Sequence, residues 1–165
     1  MVEPETPDAA LWQTMAKNIV AGIRTIDTAT PIMVGGDSWE SVAKLSDIPV
    51  FTDPRIVYSF HEYPPFDTAS FDNAVAFQAS RGGVPIVWSE FGVMLQDSGG
   101  ASTITQAYTQ AARLTAATAI WLWQTPNEIY WYGSQYGTSY TVQLLSTDTQ
   151  NVVKAQWAKN TCRPL

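Results

Sequence analysis

The sequence predicts an α/β fold in which repeated βα units build a parallel sheet. Short apolar runs alternate with segments of helical spacing along the whole 165-residue chain, and no linker or low-complexity tract divides it. Parallel strands need crossover connections, usually helices, so this alternation favours a parallel sheet over hairpins. In addition, side chains able to do chemistry follow the apolar runs, where they would share one edge of such a sheet.

The first helix is predicted over residues 8–26. Asp8 stands at its start, and Asp is a residue type that caps helix N-termini. Apolar side chains then recur at the spacing of one helix face, which is typical of an amphipathic helix. These side chains are Leu11, Met15, Ile19, Ile23 and Ile26.

Four apolar runs predict buried strands. Each is short, contains β-branched or aromatic side chains, and is bounded by residues that break regular structure. The first, for example, closes on Gly35 and Gly36. The runs cover residues 31–36, 55–61, 84–89 and 119–123.

Four further helices are predicted after the strands. The second of them stops before Gly82 and Gly83, and the third is rich in alanine, the strongest helix former. They cover residues 38–45, 71–80, 102–115 and 149–159.

Composition excludes several classes of protein. With 45% hydrophobic and 15% charged residues, the chain is not of the disordered type. A net charge of −6 argues against nucleic-acid binding, which needs a basic face. One His and one Cys exclude a multi-histidine metal centre and an internal disulfide framework. No apolar run approaches the roughly 18 residues of a membrane span.

The strongest functional signal is the segment Ser89-Glu90-Phe91-Gly92, which ends the third apolar run. An unpaired, half-buried carboxylate is costly, and ligands bind at the carboxyl ends of parallel strands. Glu90 is therefore a candidate catalytic carboxylate; the alternative is a Glu that caps or pairs at the start of a loop. Nucleotide binding is disfavoured, because the glycines after the first strand lack both the G-x-G-x-x-G pattern and a Walker lysine.

Together these segments resemble the C-terminal half of a glycoside hydrolase family 5 enzyme, the retaining cellulase and mannanase family. Ser89-Glu90-Phe91-Gly92 resembles the nucleophile motif of that family, and Val57 to Tyr63 resembles its His-x-Tyr motif. Glu3-Pro4 resembles its acid/base motif. The run before Trp39 resembles the fifth strand, and Trp121-Leu122-Trp123 resembles the eighth.

The resemblance implies half of a TIM barrel, with about four to five strands. Residues 1–165 would form one half-barrel domain corresponding to strands four to eight of the family. The implied activity is that of a retaining β-glycosidase, endo-β-1,4-glucanase-like, which hydrolyses β-linked glucans through a glycosyl-enzyme intermediate.

In that assignment Glu90 is the nucleophile and Glu3 is the acid/base residue. Four other side chains would bind the substrate: His61, Tyr63, Trp39 and Trp123. The expected partner is a β-glucan or a related polysaccharide, with no cofactor, nucleic acid or membrane. The family is secreted, although the N-terminus of this chain shows no signal-peptide pattern.

Two departures from the family pattern lower the activity that we expect. Val2 stands where the family has an Asn that contacts the sugar 2-hydroxyl. Strands one to three also have no counterpart in the chain, so we expect low activity. The alternative is a non-catalytic half-barrel remnant or a carbohydrate-binding module. Because half a barrel has open sheet edges, we also expect a homodimer or a larger assembly.

Overall fold

The computed structural model describes residues 8–93, 97–114, 116–120, 124–125 and 143–159. Within them, four strands form one sheet, and each strand pairs in parallel with the next along the chain. The predicted α/β class with a parallel sheet is therefore confirmed. The strands are β1 (Ile32–Gly35), β2 (Ile56–His61), β3 (Ile86–Phe91) and β4 (Ala116–Ile120).

Helical segments connect and follow these strands. In chain order they are α1 (Ala9–Arg24), the single turn α2 (Asp37–Glu40), the 3₁₀ helix η1 (Val42–Asp47), α3 (Thr68–Ser80), α4 (Gly100–Ala111) and α5 (Thr147–Ala158). A short antiparallel pair, β5 (Gln124–Thr125) and β6 (Gln143–Leu144), precedes α5. Among the helices that the structure describes, none has the length and apolar character needed to cross a membrane.

Aromatic side chains fill the core between the sheet and its helices. Trp88 of β3 is fully buried, stacks on Phe60 of β2, and makes an edge contact with Phe71 of α3. Phe91 continues the cluster and meets Tyr108 of α4. Because side chains alternate along a strand, Ser59 of β2 lies on the opposite face from Phe60. The helix-facing side of the sheet is thus aromatic, and Ser59 lies on its other face between Gly35 and Val87.

Helix α1 begins as predicted, with the Asp8 carboxylate accepting a hydrogen bond from the Leu11 N–H. The face it buries is different, however: Trp12, Ala16 and Val20 pack inward. The predicted apolar stripe stays accessible, from 38% exposed at Ile23 to 90% at Ile26. Helical spacing identifies a helix but cannot choose between two apolar faces, so α1 has one face on the core and a second one open.

Three predicted elements differ from the structure. Residues 38–45 form a left-handed turn and a 3₁₀ helix rather than one helix. The fourth strand begins at Ala116, three residues earlier than residues 119–123 imply, and α4 ends at Ala111. The alanines there favour a helix locally, but pairing of Ala116 and Ala117 with Ile86 and Val87 of β3 decides the conformation.

Candidate active site

The carboxyl ends of β1, β2 and β3 surround a pocket of about 380 Å³. This is the edge of a parallel sheet where ligands bind. Its lining consists of polar and aromatic side chains from three strand ends. They are Ser38, Trp39, Ser41, His61, Glu62, Tyr63 and Glu90.

A β-bulge in β3 aims Glu90 into this pocket. Phe60 of β2 pairs with Trp88, but the next residue, His61, pairs with Glu90, so Ser89 is an extra residue in β3. Simple alternation would put Glu90 on the same face as Trp88, in the aromatic core. The extra residue moves it to the face of His61, as bulges beside functional sites commonly do.

Glu90 meets two of the other predicted site residues. The Tyr63 hydroxyl donates a hydrogen bond to Glu90 Oε1. The Nδ1 atom of His61 lies 3.8 Å from Glu90 Oε2. Because the Glu90 side chain is 25% exposed, it can be reached from the pocket. The arrangement presents a carboxylate that is oriented by a phenol and flanked by an imidazole.

Trp39 lines the same pocket from the α2 turn and is 58% exposed. An accessible indole face beside polar groups suits stacking on the apolar face of a sugar ring. The structure therefore brings together four of the six predicted residues: Glu90, His61, Tyr63 and Trp39. The other two, Glu3 and Trp123, lie outside the described residues.

Two carboxylates near the pocket were missed by the sequence analysis. Glu40 lies beneath His61, with its Oε2 atom 3.7 Å from the imidazole Nε2. Glu62 lines the pocket between His61 and Tyr63. The available signal was an acidic residue within a few positions of a strand end, as for Glu90. Glu62 is the middle residue of the His-x-Tyr motif, but that motif gives no role to its middle position, and Glu40 belongs to no motif.

Burial raises the pKa of Glu62 to about 7. The negative charge of Asp67 contributes to this shift, and a hydrogen bond with the Ser70 side chain opposes it. A carboxyl group that titrates near neutrality can exchange protons in a pocket. Among the described residues, no group of three or more His, Cys, Asp or Glu side chains is arranged to hold a metal ion.

The sequence also matches a known protein family. A family model described as Cellulase (glycosyl hydrolase family 5) matches residues 1–128. Endoglucanase 3 of Fibrobacter succinogenes is 40% identical over 68 residues, which is 39% of this chain and 10% of that protein.

The fold is shared with solved structures of the same kind. An endoglucanase structure superimposes with a TM-score of 0.68 at 15% identity, covering 92% of this chain and 57% of that one. Endo-glycoceramidase II from Rhodococcus sp. superimposes with a TM-score of 0.52 at 26% identity, covering 68% of this chain and 30% of that one. The chain thus spans little more than half of the first structure and a tenth of the curated relative.

Proposed function

This chain belongs to the cellulase family, glycosyl hydrolase family 5, and on that premise we propose that it carries the nucleophile side of a retaining β-glycosidase site. Glu90 is the proposed nucleophile. The observation that carries the proposal is the bulge that turns Glu90 into a pocket, where Tyr63 and His61 meet its two carboxylate oxygens. The proposed substrate is a β-linked glucan, in keeping with the endoglucanases that the chain resembles.

In the proposed first step, Glu90 attacks the anomeric carbon of the bound sugar and the bond to the leaving oxygen breaks. The leaving oxygen takes a proton from an acid, for which Glu3 is the candidate. Water then attacks the same carbon, the bond to Glu90 breaks, and the acid recovers its proton from the water. The hydroxyl of Tyr63 orients Glu90 and stabilises its negative charge before the attack.

Trp39 supports the proposal from the substrate side, since it offers an exposed ring face in the same pocket. We propose that it stacks on one sugar ring and that Trp123 stacks on another. We also expect low turnover, because the chain corresponds to 57% of the endoglucanase structure and residues of a complete site can lie in the remainder.

The test is hydrolysis of an activated aryl β-cellobioside, a substrate whose leaving group needs little protonation, so that it reports on Glu90 even without an aligned acid. We expect turnover by the chain and a loss of at least about 1,000-fold in Glu90→Gln, as is typical for a removed nucleophile. Asp72→Asn, which alters an exposed carboxylate of α3, is the matched control and should keep full activity.

A second readout identifies the covalent step directly. A 2-fluoro cellobioside with a good leaving group should add one glycosyl group to Glu90, located by peptide mass spectrometry, because the fluorine slows both steps and the good leaving group restores only the first. Turnover equal in the chain and in Glu90→Gln, or a label on another residue, would reject Glu90 as nucleophile. Sugar binding without turnover or labelling would favour a non-catalytic binding module.

A further inference from the structure

Glu40 is a buried carboxylate that the proposed reaction does not use. Its side chain is only 7% exposed, and three polar groups lie around its Oε2 atom. The Ser59 hydroxyl donates to it at 2.6 Å, the Ser89 hydroxyl lies at 3.5 Å, and His61 Nε2 lies at 3.7 Å. Burying a carboxylate costs free energy unless hydrogen-bond donors compensate its charge. The three polar groups around Glu40 supply that compensation, which water supplies at an exposed carboxylate.

The backbone around Glu40 is shaped to admit this side chain. Ser38, Trp39 and Glu40 all have left-handed φ angles, of 52°, 56° and 55°. Non-glycine residues resist that conformation, and it persists at functional sites where the surroundings impose it. At Gly35, the last residue of β1, an added Cβ would overlap the Glu40 side chain. Two separate local features therefore make room for one carboxylate.

The His61 ring lies between this carboxylate and the candidate nucleophile. Nε2 faces Glu40 at 3.7 Å and Nδ1 faces Glu90 at 3.8 Å. A neutral imidazole carries one N–H, whereas the protonated ring carries two. An acceptor at Nε2 therefore fixes the orientation of the ring and keeps a proton on Nε2, so that Nδ1 carries a second proton only in the protonated ring.

We propose that Glu40 is a positioning residue, which holds the His61 imidazole in the orientation that faces Glu90. The catalytic significance of this role rests on the proposed function of Glu90. The α2 turn then serves two purposes, since it presents Trp39 to the pocket and places Glu40 beneath His61.

Nitrogen NMR of the imidazole tests the proposal without any need for turnover. His61 is the only histidine in the chain, so its two ring nitrogens give an unambiguous pair of signals. Glu40→Gln keeps the shape of the side chain but removes its charge. We expect this substitution to shift both ring-nitrogen signals at neutral pH, because the proton distribution over the ring changes.

Two further variants reach Glu40 by independent routes. Gly35→Ala displaces its side chain, and Ser59→Ala removes the 2.6 Å hydrogen bond to it. Both should move the same ring signals, Gly35→Ala by the larger amount, whereas the surface control Asp72→Asn should leave them unchanged. If Glu40→Gln does not fold, Ser59→Ala supplies the decisive comparison.

Kinetics separates this proposal from the proposed function. With the aryl β-cellobioside, Glu40→Gln should lower kcat on the order of 100-fold and leave KM nearly unchanged, because a misplaced ring affects the chemical step. If the unaltered chain shows no turnover, the proposed function fails, yet the ring signals still decide whether Glu40 positions His61. Ring signals that are identical in folded Glu40→Gln and in the unaltered chain would overturn the proposal.

Discussion

At the scale of single residues, the pocket contains carboxyl groups in three different environments. Glu90 is partly exposed and bonded by a phenol, Glu40 is buried beneath an imidazole, and Glu62 is partly buried near another acid. Differences in environment allow a protein to give chemically identical side chains different acid and base roles. Glu62 is the group whose titration has a direct consequence for stability.

Replacing Glu62 with Gln should stabilise the chain at pH 8 relative to pH 4.5. The folded pKa of about 7 lies above the ordinary value of 4.5, so the folded state binds this proton more tightly than the unfolded state does. The stability that the protonated group contributes is complete below about pH 4.5 and is lost as the pH rises through 7. The Gln side chain cannot ionise and avoids that loss. Thermal unfolding at both pH values measures the difference.

Asp27→Asn is the control for this experiment. Hydrogen bonds from the side chain and backbone of Thr30 lower the pKa of Asp27 to about 2, from an ordinary value of 3.8. A lowered pKa stabilises the fold above 3.8, and the stabilisation is lost as the pH falls towards 2. Asp27→Asn should therefore change the melting temperature by the same amount at pH 4.5 and pH 8. A Glu62→Gln effect that is likewise equal at both values would contradict the raised pKa.

At the scale of elements, the α2 turn and the β3 bulge are the two irregular features that form the pocket. Each departs from ideal geometry next to a strand end and each redirects a carboxylate. Regular helices and strands would leave Glu90 on the core face and Glu40 elsewhere. Irregularity at a site that the rest of the fold holds in place is typical of functional segments.

Substitutions at Ser38 test whether the α2 turn is left-handed. Ser38→Gly should stabilise the chain by up to about 1 kcal/mol, because glycine avoids the cost of a positive φ. Ser38→Val should destabilise it by about 1–2 kcal/mol, since a β-branched side chain resists the same conformation. Urea denaturation measures both. Equal free energies of unfolding for Ser, Gly and Val at this position would mean that the turn is not left-handed in solution.

At the scale of the whole molecule, three features of the described residues bear on association: two sheet edges and one apolar helix face. β1 and β4 form the edges of the sheet, and each has one strand partner in it. Beside β1, helix α1 carries the accessible apolar stripe of Leu11, Met15, Ile19 and Ile23. Contiguous exposed apolar surface of this kind marks an interaction site, and open edges recruit further strands. A second copy of the chain is the occupant that we expect.

The expected outcome is a molar mass that increases with concentration, measured by light scattering after size exclusion. Met15→Glu combined with Ile23→Glu should give a folded monomer, because both side chains are more than a third exposed. Val50→Glu, which is 68% exposed and lies outside the stripe, is the control and should still associate. Exposed apolar patches of this kind normally mark interaction sites, so a chain that stays monomeric over a roughly hundredfold concentration range would contradict the expectation.

Much of this architecture was predictable because it depends on local pattern. The apolar runs predict the four strands, and their alternation with helical segments predicts the parallel pairing. The preference of Asp for helix N-termini predicts the Asp8 cap. The grouping of Glu90, His61 and Tyr63 was predictable because parallel strands end at a common edge. These features need no knowledge of distant contacts.

The remaining features depend on pairing between segments that are far apart in sequence. The bulge at Ser89 exists only relative to β2, and the start of β4 is set by β3 rather than by its own alanines. Glu40 acquires its significance only when folding brings Ser59 and His61 to it. The choice of the buried face of α1 likewise depends on which neighbour it meets, so spacing alone predicted the wrong face.

The bulge at Ser89 also determines how this segment can change during evolution. By simple alternation, the two-residue step from Trp88 to Glu90 would return the carboxylate to the aromatic face, and the bulge is what cancels that step. A single codon deleted at Ser89 would therefore restore the regular register and leave Glu90 opposite His61, whereas a straightened strand of unchanged length would turn it among the aromatic rings. A lineage can lose the bulge and keep the direction of this carboxylate only if it also shortens the segment by that one residue.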